Sequence, residues 1–276
     1  MQESHPCVLT VAGSDSGGGA GIQTDLRTFN AFRVYGCSAI TAVTGQNPDE
    51  VRRVDVLPPE AVRTQLDCVL DAYPVRFAKT GMLANEKIIE CVAEFAAKYK
   101  LQLVVDPVMV STSGATLLQK SAVSAMRDLL LPQAMWITPN LPEAELLCKS
   151  TLSTPAMMAQ AALQLFEQYK CNVLLKSGHA ITGKQVTDIV CYQGQLFALS
   201  SPAVDVCGNT AHGTGCTLSA AITASLAWNQ SWQEALKAAK AFVFGALTES
   251  VTLSDKVKQM YPPVKNYADE ITLEPL

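Results

Sequence analysis

The chain has 276 residues, 49% of them hydrophobic and 17% charged, with a formal net charge of −4. A charged fraction this low, with a mean hydropathy of +0.17, excludes a disordered chain and indicates a thick buried interior. The acidic balance, without a block of lysines or arginines, argues against binding to the phosphate backbone of nucleic acids. Nine cysteines without a C-x-x-C pair, and an N-terminus without an apolar targeting segment, predict a cytoplasmic location with reduced thiols.

Apolar runs alternate with helical patterns along most of the chain. Strands are predicted at residues 7–13, 38–46, 77–82, 102–109, 136–139 and 173–177. Helices are predicted at residues 21–32, 59–72, 86–100, 121–131, 155–169, 214–228 and 232–250. This alternation predicts βαβ units and a mainly parallel sheet, interrupted by an antiparallel hairpin over residues 188–200. We expect one α/β domain over residues 1–276, with a polar, irregular C-terminal tail (residues 254–276) on its surface.

A glycine-rich loop, residues 13–21, follows the first predicted strand and leads into the first predicted helix. It holds five glycines, which let a backbone turn sharply and approach a ligand closely. A strand-to-helix loop at the carboxyl end of a parallel sheet is the usual ligand position. The dinucleotide pattern G-x-G-x-x-G does not fit, because Ile22 or Thr24 stands where the last glycine is needed. We therefore expect this loop to contact a small molecule, the alternative being a flexible surface turn.

A second glycine-rich loop, residues 208–217, lies within a stretch that has no charged residue from 206 to 233. The polar residues of that stretch argue against a membrane span. Gly213 and Gly215 free backbone N–H groups at a helix N-terminus, which predicts a site for phosphate or for the charge of phosphoryl transfer. Cys216 stands where the helix dipole is expected to favour a thiolate, the alternative being a buried small side chain. The other eight cysteines are expected to be core thiols.

Three charged residues lie at or just after the carboxyl ends of predicted strands and are expected at one edge of the sheet: Asp106, Glu143 and Lys176. Mg²⁺ prefers one or two carboxylates with phosphates and waters, so Asp106 and Glu143 are candidate metal ligands. The alternatives are charge compensation at a helix N-terminus for Glu143, a capping role for Asp106 and a solvated strand end for Lys176. Residues 178–184 match G-x-x-x-x-G-K, but Gln185 replaces the required Ser or Thr and a predicted strand follows. Together these features predict a magnesium–nucleotide phosphotransferase without a Walker loop.

The order of motifs resembles that of the hydroxymethylpyrimidine/phosphomethylpyrimidine kinases of thiamine biosynthesis, from about residue 8 to residue 226. The resemblance rests on the segments VLTVAGSDSGGGAGIQTDL, AVTGQN, KTGML, DPVMVSTSGATLL, TPNLPEAELL, LLKSGH and HGTGCTLSAAI. It implies a ribokinase-like three-layer α-β-α fold and, commonly, a homodimer. It also implies ATP- and Mg²⁺-dependent phosphorylation of 4-amino-5-hydroxymethyl-2-methylpyrimidine, followed by phosphorylation of the monophosphate to the diphosphate.

The resemblance implies roles for individual residues. The pyrimidine pocket is assigned to Gln46, Gly13, Ala20, Met82 and Met109. The anion hole of the reaction is assigned to Gly213, Gly215 and Cys216, the last standing where most of the superfamily has an aspartate base. The nucleotide phosphates are assigned to Lys176, Asn140 and Thr214, and Mg²⁺ to Glu143 and Asp106.

The sequence departs from the family pattern at three places. Ala211 looks inserted between Thr210 and His212, Gly45 stands where alanine is frequent, and residues 259–264 lack the glycines of an expected G-H-G-x-P-V segment. The last departure puts a family role for that segment in doubt.

Three alternatives to the pyrimidine kinase stay open. A pyridoxal kinase of the same subfamily often has a second cysteine after D-P-V-M, and residues 110–114 contain none. A ligand sensor without turnover is disfavoured because Asp106, Glu143 and Cys216 are all present. An oxidoreductase is disfavoured by the missing dinucleotide pattern.

Overall fold

The computed structural model describes residues 5–109, 120–178, 184–205, 208–255 and 257–276. Its strands are β1 (Cys7–Asp15), β2 (Tyr35–Gln46), β3 (Val51–Val56), β4 (Phe77–Thr80), β5 (Gln102–Val105), β6 (Ala134–Ile137), β7 (Asn172–Leu175), β8 (Gln185–Tyr192), β9 (Gln195–Pro202), β10 (Val251–Ser254), β11 (Val257–Gln259) and β12 (Thr272–Pro275). Its helices are α1 (Gly21–Ala31), α2 (Pro59–Ala72), α3 (Glu86–Tyr99), α4 (Lys120–Ala125), α5 (Leu141–Cys148), α6 (Pro155–Tyr169), α7 (Thr214–Ala227) and α8 (Trp232–Thr248).

Ten of these strands form one sheet in the order β12-β9-β8-β7-β6-β5-β4-β1-β2-β3. The strands from β7 to β2 pair in parallel, which confirms the expected parallel sheet. β3, β8, β9 and β12 are antiparallel to their neighbours. The predicted hairpin is β8–β9, whose turn residues Gln193 and Gly194 both have positive φ angles. β1 lies between β2 and β4 in the sheet. The chain passes from β1 to β2 and β3 on one side and then crosses to β4 on the other side. Ligands of open α/β sheets bind at such a switch point.

Helices cover both faces of the sheet and make two apolar cores. One core packs α2 to α6 against the sheet, and the other packs α1, α7 and α8 against the opposite face. β4 shows how one strand serves both cores, because Phe77 belongs to the α7 side and its neighbour Ala78 to the other. Every residue of α7 from Thr217 to Ala227 is buried, which explains why this stretch carries no charge. Within the described ranges, no helix is both long and apolar enough to cross a bilayer.

The C-terminal tail differs from the prediction. β12 pairs antiparallel with β9 and forms one edge of the main sheet. Ile271, just before β12, is 3% exposed and belongs to the core beneath α8. The expectation of an irregular surface segment is therefore wrong. A four-residue strand ending in proline has too little apolar alternation to be recognised without the open edge of β9 that it pairs with.

Three smaller predictions also need correction. β3 was not predicted, because it is an exposed edge strand without a buried face. The helix predicted at residues 121–131 is α4 followed by a π-helical turn, Met126–Leu130. Six cysteines are buried free thiols as expected, but Cys68 is exposed and Cys207 lies outside the described residues.

Candidate functional site

A buried ion pair lies at the carboxyl edge of the sheet beneath the first turn of α7. Asp106 follows β5 and Lys176 follows β7, each two positions beyond a residue of the α7-side core, so alternation turns both toward α7. Lys176 Nζ donates to Asp106 Oδ1 at 3.1 Å. A Cβ atom at Gly215 would lie 3.2 Å from Lys176 Nζ and 3.4 Å from Asp106 Oδ2. The bare backbone of Gly215 therefore sits directly on the pair that the sequence predicted to meet there.

Glu143 lies beside this pair, in the first turn of α5. Its Oε2 accepts the N–H of Asn140, and Asn140 Oδ1 accepts the N–H of Glu143, which forms a capping box. Its Oε1 accepts the N–H of Met109 at 3.2 Å. Burial raises the pKa of Glu143 to about 7; the charge of Lys176 opposes this rise, and the charge of Asp106 adds a smaller rise. Glu143 thus serves the N-terminus of α5, as the alternative interpretation expects of its charge, and also interacts with Asp106.

Asp15 holds the first glycine-rich loop in shape. Its Oδ1 accepts the N–H of Gly17, and its Oδ2 accepts the N–H of Ala20, both at 2.8 Å. Burial alone would raise its pKa, but hydrogen bonds from His212, Gln46 and these two N–H groups lower the pKa to about 2. The carboxylate is therefore ionised throughout the physiological pH range and fixes the loop around itself.

The two glycine-rich loops touch each other. His212 Nε2 donates to Asp15 Oδ2 at 3.3 Å, across 197 residues of sequence. Gly213 has φ of +84°, and a Cβ atom there would lie 1.9 Å from the carbonyl oxygen of Gly19. A side chain at Gly213 is excluded both by this contact and by the left-handed backbone. The first loop is thus locked against the N-terminus of α7, a contact that the sequence did not reveal.

Residues assigned to the pyrimidine pocket lie around the first loop and the ends of β2 and β4. A Cβ atom at Gly13 would be 2.6 Å from Met82 Cε, so Met82 lies over the bare backbone of Gly13. Gln46 ends β2 and is half-buried, with its main chain tied to Ser16 Oγ. Ala20 donates its N–H to Asp15, and Met109 is buried beside Glu143.

Cys216 is the third residue of α7 and half-buried. Burial raises the pKa of its thiol, while Lys79 acts in the opposite direction. The sequence predicted that the helix dipole lowers the thiol pKa and favours the thiolate. That prediction is wrong, because desolvation of the thiolate outweighs the favourable charges and the pKa is raised. Thr214, at the start of the same helix, donates its hydroxyl to the carbonyl of Ala211 at 3.1 Å.

Sequence reasoning missed a second buried ion pair. Lys79 on β4 and Asp25 on α1 are fully buried, and Lys79 Nζ donates to Asp25 Oδ1 at 2.5 Å. Thr10 on β1 donates its hydroxyl to Asp25 Oδ2 at 2.6 Å. The available signal was a lysine in the interior of an apolar strand, in the segment FAKT, since lysine is almost never fully buried unless it is paired.

The carboxylates fit a hard divalent cation. In the part of the chain that the structure describes, no group of three or more His, Cys, Asp and Glu could hold a metal by itself. Mg²⁺ does not need such a cage, because it binds through one or two carboxylates plus phosphates and waters. The charge of Asp106 raises the pKa of Glu143 and that of Lys176 lowers it, so a cation beside the two carboxylates would favour the ionised form of Glu143.

Comparison with known proteins gives close sequence relatives. The family model described as phosphomethylpyrimidine kinase matches residues 15–261. The chain is 43% identical over 265 residues to the hydroxymethylpyrimidine/phosphomethylpyrimidine kinase of Haemophilus influenzae, a match that covers 95% of this chain and 96% of the relative. It is 41% identical to the Bacillus subtilis protein of the same name, over 88% of this chain and 89% of the relative.

Solved structures of related kinases share the fold of this chain. The pyridoxal kinase of Staphylococcus aureus, in complex with AMP-PCP and pyridoxal, superimposes with a TM-score of 0.87 at 33% identity, covering 99% of this chain and all of that one. The phosphomethylpyrimidine kinase of Clostridium difficile superimposes with a TM-score of 0.77 at 37% identity, covering 88% of this chain and 99% of that one. The expected ribokinase-like α-β-α fold is confirmed, and the chain belongs to the phosphomethylpyrimidine kinase family.

Proposed function

We propose that the protein transfers a phosphoryl group from ATP to the hydroxymethyl oxygen of 4-amino-5-hydroxymethyl-2-methylpyrimidine, and a second one to the resulting monophosphate, in thiamine diphosphate biosynthesis. The observation that carries the proposal is the contact of Gly215, at the N-terminus of α7, with the Lys176–Asp106 pair. A helix N-terminus beside a fixed cation suits a phosphate in transfer. The kinase names of the bacterial relatives support the choice of substrate.

In this proposal Cys216 accepts the proton of the substrate hydroxyl. The oxygen then attacks the γ-phosphorus of ATP, and the bond to ADP breaks. The backbone N–H groups that Gly213 and Gly215 leave uncovered stabilise charge on the transferred group. Lys176, Asn140 and Thr214 hold the nucleotide phosphates.

We assign Mg²⁺ to Asp106 and Glu143. When bound, Mg²⁺ supplies positive charge beside the phosphate oxygens. The chain's own contribution is the fixed position of both carboxylates: Asp106 is held by Lys176, and Glu143 by the N–H groups of Asn140 and Met109. Calorimetric titration of the ATP complex with Mg²⁺, in wild type and in Glu143→Gln, tests this assignment.

Gln46 binds the pyrimidine ring in the proposed pocket, with Gly13, Ala20, Met82 and Met109 around it. The support is steric: Met82 covers Gly13 so closely that any side chain at Gly13 would displace it. Glycine at this position therefore lets Met82 pack against the backbone, where it can line the proposed pocket.

A pyridoxal kinase activity is the second candidate. Its support is the close structural likeness to the Staphylococcus aureus pyridoxal kinase. The segment in which a second cysteine was sought, residues 110–114, lies outside the described residues.

A substrate panel tests the assignment. Hydroxymethylpyrimidine, its monophosphate and pyridoxal are each supplied with ATP and Mg²⁺, and ADP is counted per pyrimidine consumed. We expect two ADP per hydroxymethylpyrimidine, the two transfers that the proposal names. A higher kcat/KM on pyridoxal than on either pyrimidine would replace the leading proposal by the second, and ligand binding without ADP release would indicate a sensor.

We further propose one kinase domain over the whole chain, a cytoplasmic location and a homodimer. The free thiols of the described cysteines suit a reducing compartment. The edge strand β3 supports the dimer, because it is exposed along its length and presents Val51, Val54 and Val56 at 54%, 44% and 44% exposure. Light scattering should give twice the 29.5 kDa chain mass, and Val54→Lys should shift it toward that of the monomer.

A further inference from the structure

The buried pair Lys79–Asp25 lies on the same side of the sheet as Cys216. Phe77, two positions before Lys79, belongs to the core beneath α7, so Lys79 also faces α7. Thr10, its register partner on β1, shares this face two positions after Val8. α7 packs against β1, β4 and β5. The pair therefore fills the space between the sheet and the first turns of α1 and α7.

Lys79 reaches up toward the carboxyl edge of the sheet. A Cβ atom at Gly81 would lie 3.6 Å from Lys79 Nζ, and Gly81 has no side chain to cover the ammonium group. The ammonium has three N–H donors, and within the described ranges its hydrogen-bond acceptor is Asp25 Oδ1. The other carboxylate oxygen of Asp25, Oδ2, accepts a hydrogen bond from the hydroxyl of Thr10. The ammonium group thus lies on the face of the sheet that α7 covers.

Cys216 and Lys79 act on each other electrostatically. Burial raises the pKa of the Cys216 thiol, and Lys79 is the strongest group that opposes this effect. Asp25 and Asp106 raise the pKa of the same thiol further, a backbone N–H at Gly21 lowers it, and Lys176 also interacts with it. Lys79 keeps its proton, because Asp25, Cys216 and Asp106 together outweigh its desolvation and raise its pKa.

Stability alone does not explain such a pair. A buried ion pair is often no more stable than apolar residues of the same volume, because two charges have to be taken out of water. We therefore expect a fully buried lysine where its positive charge acts on another group in the site.

We propose that Lys79 is a positioning residue. Its ammonium group, held by Asp25, which Thr10 fixes in turn, supplies positive charge that stabilises the thiolate form of Cys216. The thiolate accepts the hydroxyl proton of the substrate and becomes a thiol, and after product release it returns the proton to water. This inference rests on the proposed role of Cys216 as the base. It assigns Lys79 no contact with the substrate.

The test measures the thiol without any turnover. Lys79→Met/Asp25→Asn removes both charges of the pair at nearly constant volume. Iodoacetamide reacts with the thiolate, so its rate at Cys216, followed by peptide mass spectrometry at pH 8 without nucleotide, reports the thiolate fraction. We expect the rate to fall about tenfold, because Lys79 acts on the thiol more strongly than Asp25 does, so losing both charges raises the thiol pKa.

Two control variants separate charge from structure. Lys240→Met/Asp188→Asn neutralises another buried ion pair, between α8 and β8, whose Nζ–Oδ2 distance is 2.7 Å. It should leave the alkylation rate of Cys216 unchanged, and Lys79→Arg, which keeps the charge, should stay close to wild type. An unchanged rate in the Lys79→Met/Asp25→Asn variant, or an equal fall in the Lys240→Met/Asp188→Asn variant, overturns the inference.

A measurement on the wild-type chain decides the question even if the first variant does not fold. The Nζ and ε-methylene NMR signals of Lys79 should titrate with the pH dependence of Cys216 alkylation, and this titration should vanish in Cys216→Ala. Lys79 signals whose chemical shifts do not change when Cys216 loses its proton would contradict the proposal. Neither readout uses kinase activity, so an inactive substrate panel with a normal titration would contradict the proposed function and leave the electrostatic inference standing.

Discussion

Asp15 is the residue on which the geometry of both glycine-rich loops depends. It accepts hydrogen bonds from Gly17, Ala20 and His212, and the pKa of its carboxyl group is about 2 in the folded protein against an ordinary value of 3.8. A carboxyl pKa lowered by folding contributes stability above the pKa of the unfolded chain. That contribution is lost as the pH falls through the folded value.

Asp15→Asn should therefore lower the free energy of unfolding by about 2 kcal/mol at pH 7, the value of a shift of nearly two units. The difference from wild type should shrink as the pH falls from about 4 to about 2, since Asp15 becomes protonated there. Urea unfolding at a series of pH values measures it. Asp55→Asn, at an exposed carboxylate, is the control and should change stability little. If the difference in unfolding free energy between wild type and Asp15→Asn stayed constant down to pH 2, the ionised carboxylate of Asp15 would not be its cause.

Cys216 and Gln46 divide the proposed chemistry between turnover and binding. Cys216→Ala should lower kcat by about 100- to 10,000-fold, the usual effect of losing a general base. Gln46→Ala should mainly raise KM for the pyrimidine, by about tenfold for one or two lost hydrogen bonds. Steady-state kinetics on both variants measures the two effects. A near-normal kcat in Cys216→Ala would exclude this residue as the base.

At the scale of elements, the contact between the first loop and the start of α7 is set by the absence of a side chain. Gly213 and Gly194 have nearly equal backbone angles, φ of +84° and +81°. Their surroundings differ, because a Cβ atom would meet the Gly19 carbonyl at 1.9 Å in the first case and a Phe166 ring carbon at 3.4 Å in the second.

Gly194→Ala should thus cost about 1 kcal/mol, the ordinary penalty for a side chain in the left-handed region. Gly213→Ala should cost about 3 kcal/mol or more, because the loops have to separate as well. It should also abolish activity, since the N-terminus of α7 moves away from the first loop. Urea unfolding of the two variants gives the comparison, and equal losses would show that the contact is unimportant.

The last strand is a second element whose contribution can be measured. Ile271 anchors β12 in the core beneath α8, so Ile271→Ala should lower the free energy of unfolding by about 2–5 kcal/mol. Leu253→Ala, at a position that is 67% exposed, should leave stability nearly unchanged. Thermal or urea unfolding compares the two variants, and a similar small effect at both positions would argue that β12 is dispensable.

At the scale of the whole molecule, the sequence predicted what periodicity and glycine spacing control. Helices α2 and α6 begin and end where the pattern of apolar residues places them, and the carboxyl ends of parallel strands bring Asp106 to Lys176 as expected. Long-range contacts were not predictable in this way. The Asp15–His212 bond and the Lys79–Asp25 pair join residues 197 and 54 positions apart, and no local pattern encodes them. The direction of the Cys216 pKa shift was missed because burial is a property of the folded whole.

The span of the Asp15–His212 contact has a consequence for the order of assembly. The first loop leaves the ribosome early, while its partner at the start of α7 is synthesised 197 residues later. All the parallel strands after β1 lie between the two in sequence, so a nascent chain holds the two loops apart. Since domains fold during or after synthesis as units, the two glycine-rich loops can meet only after the start of α7 has been synthesised.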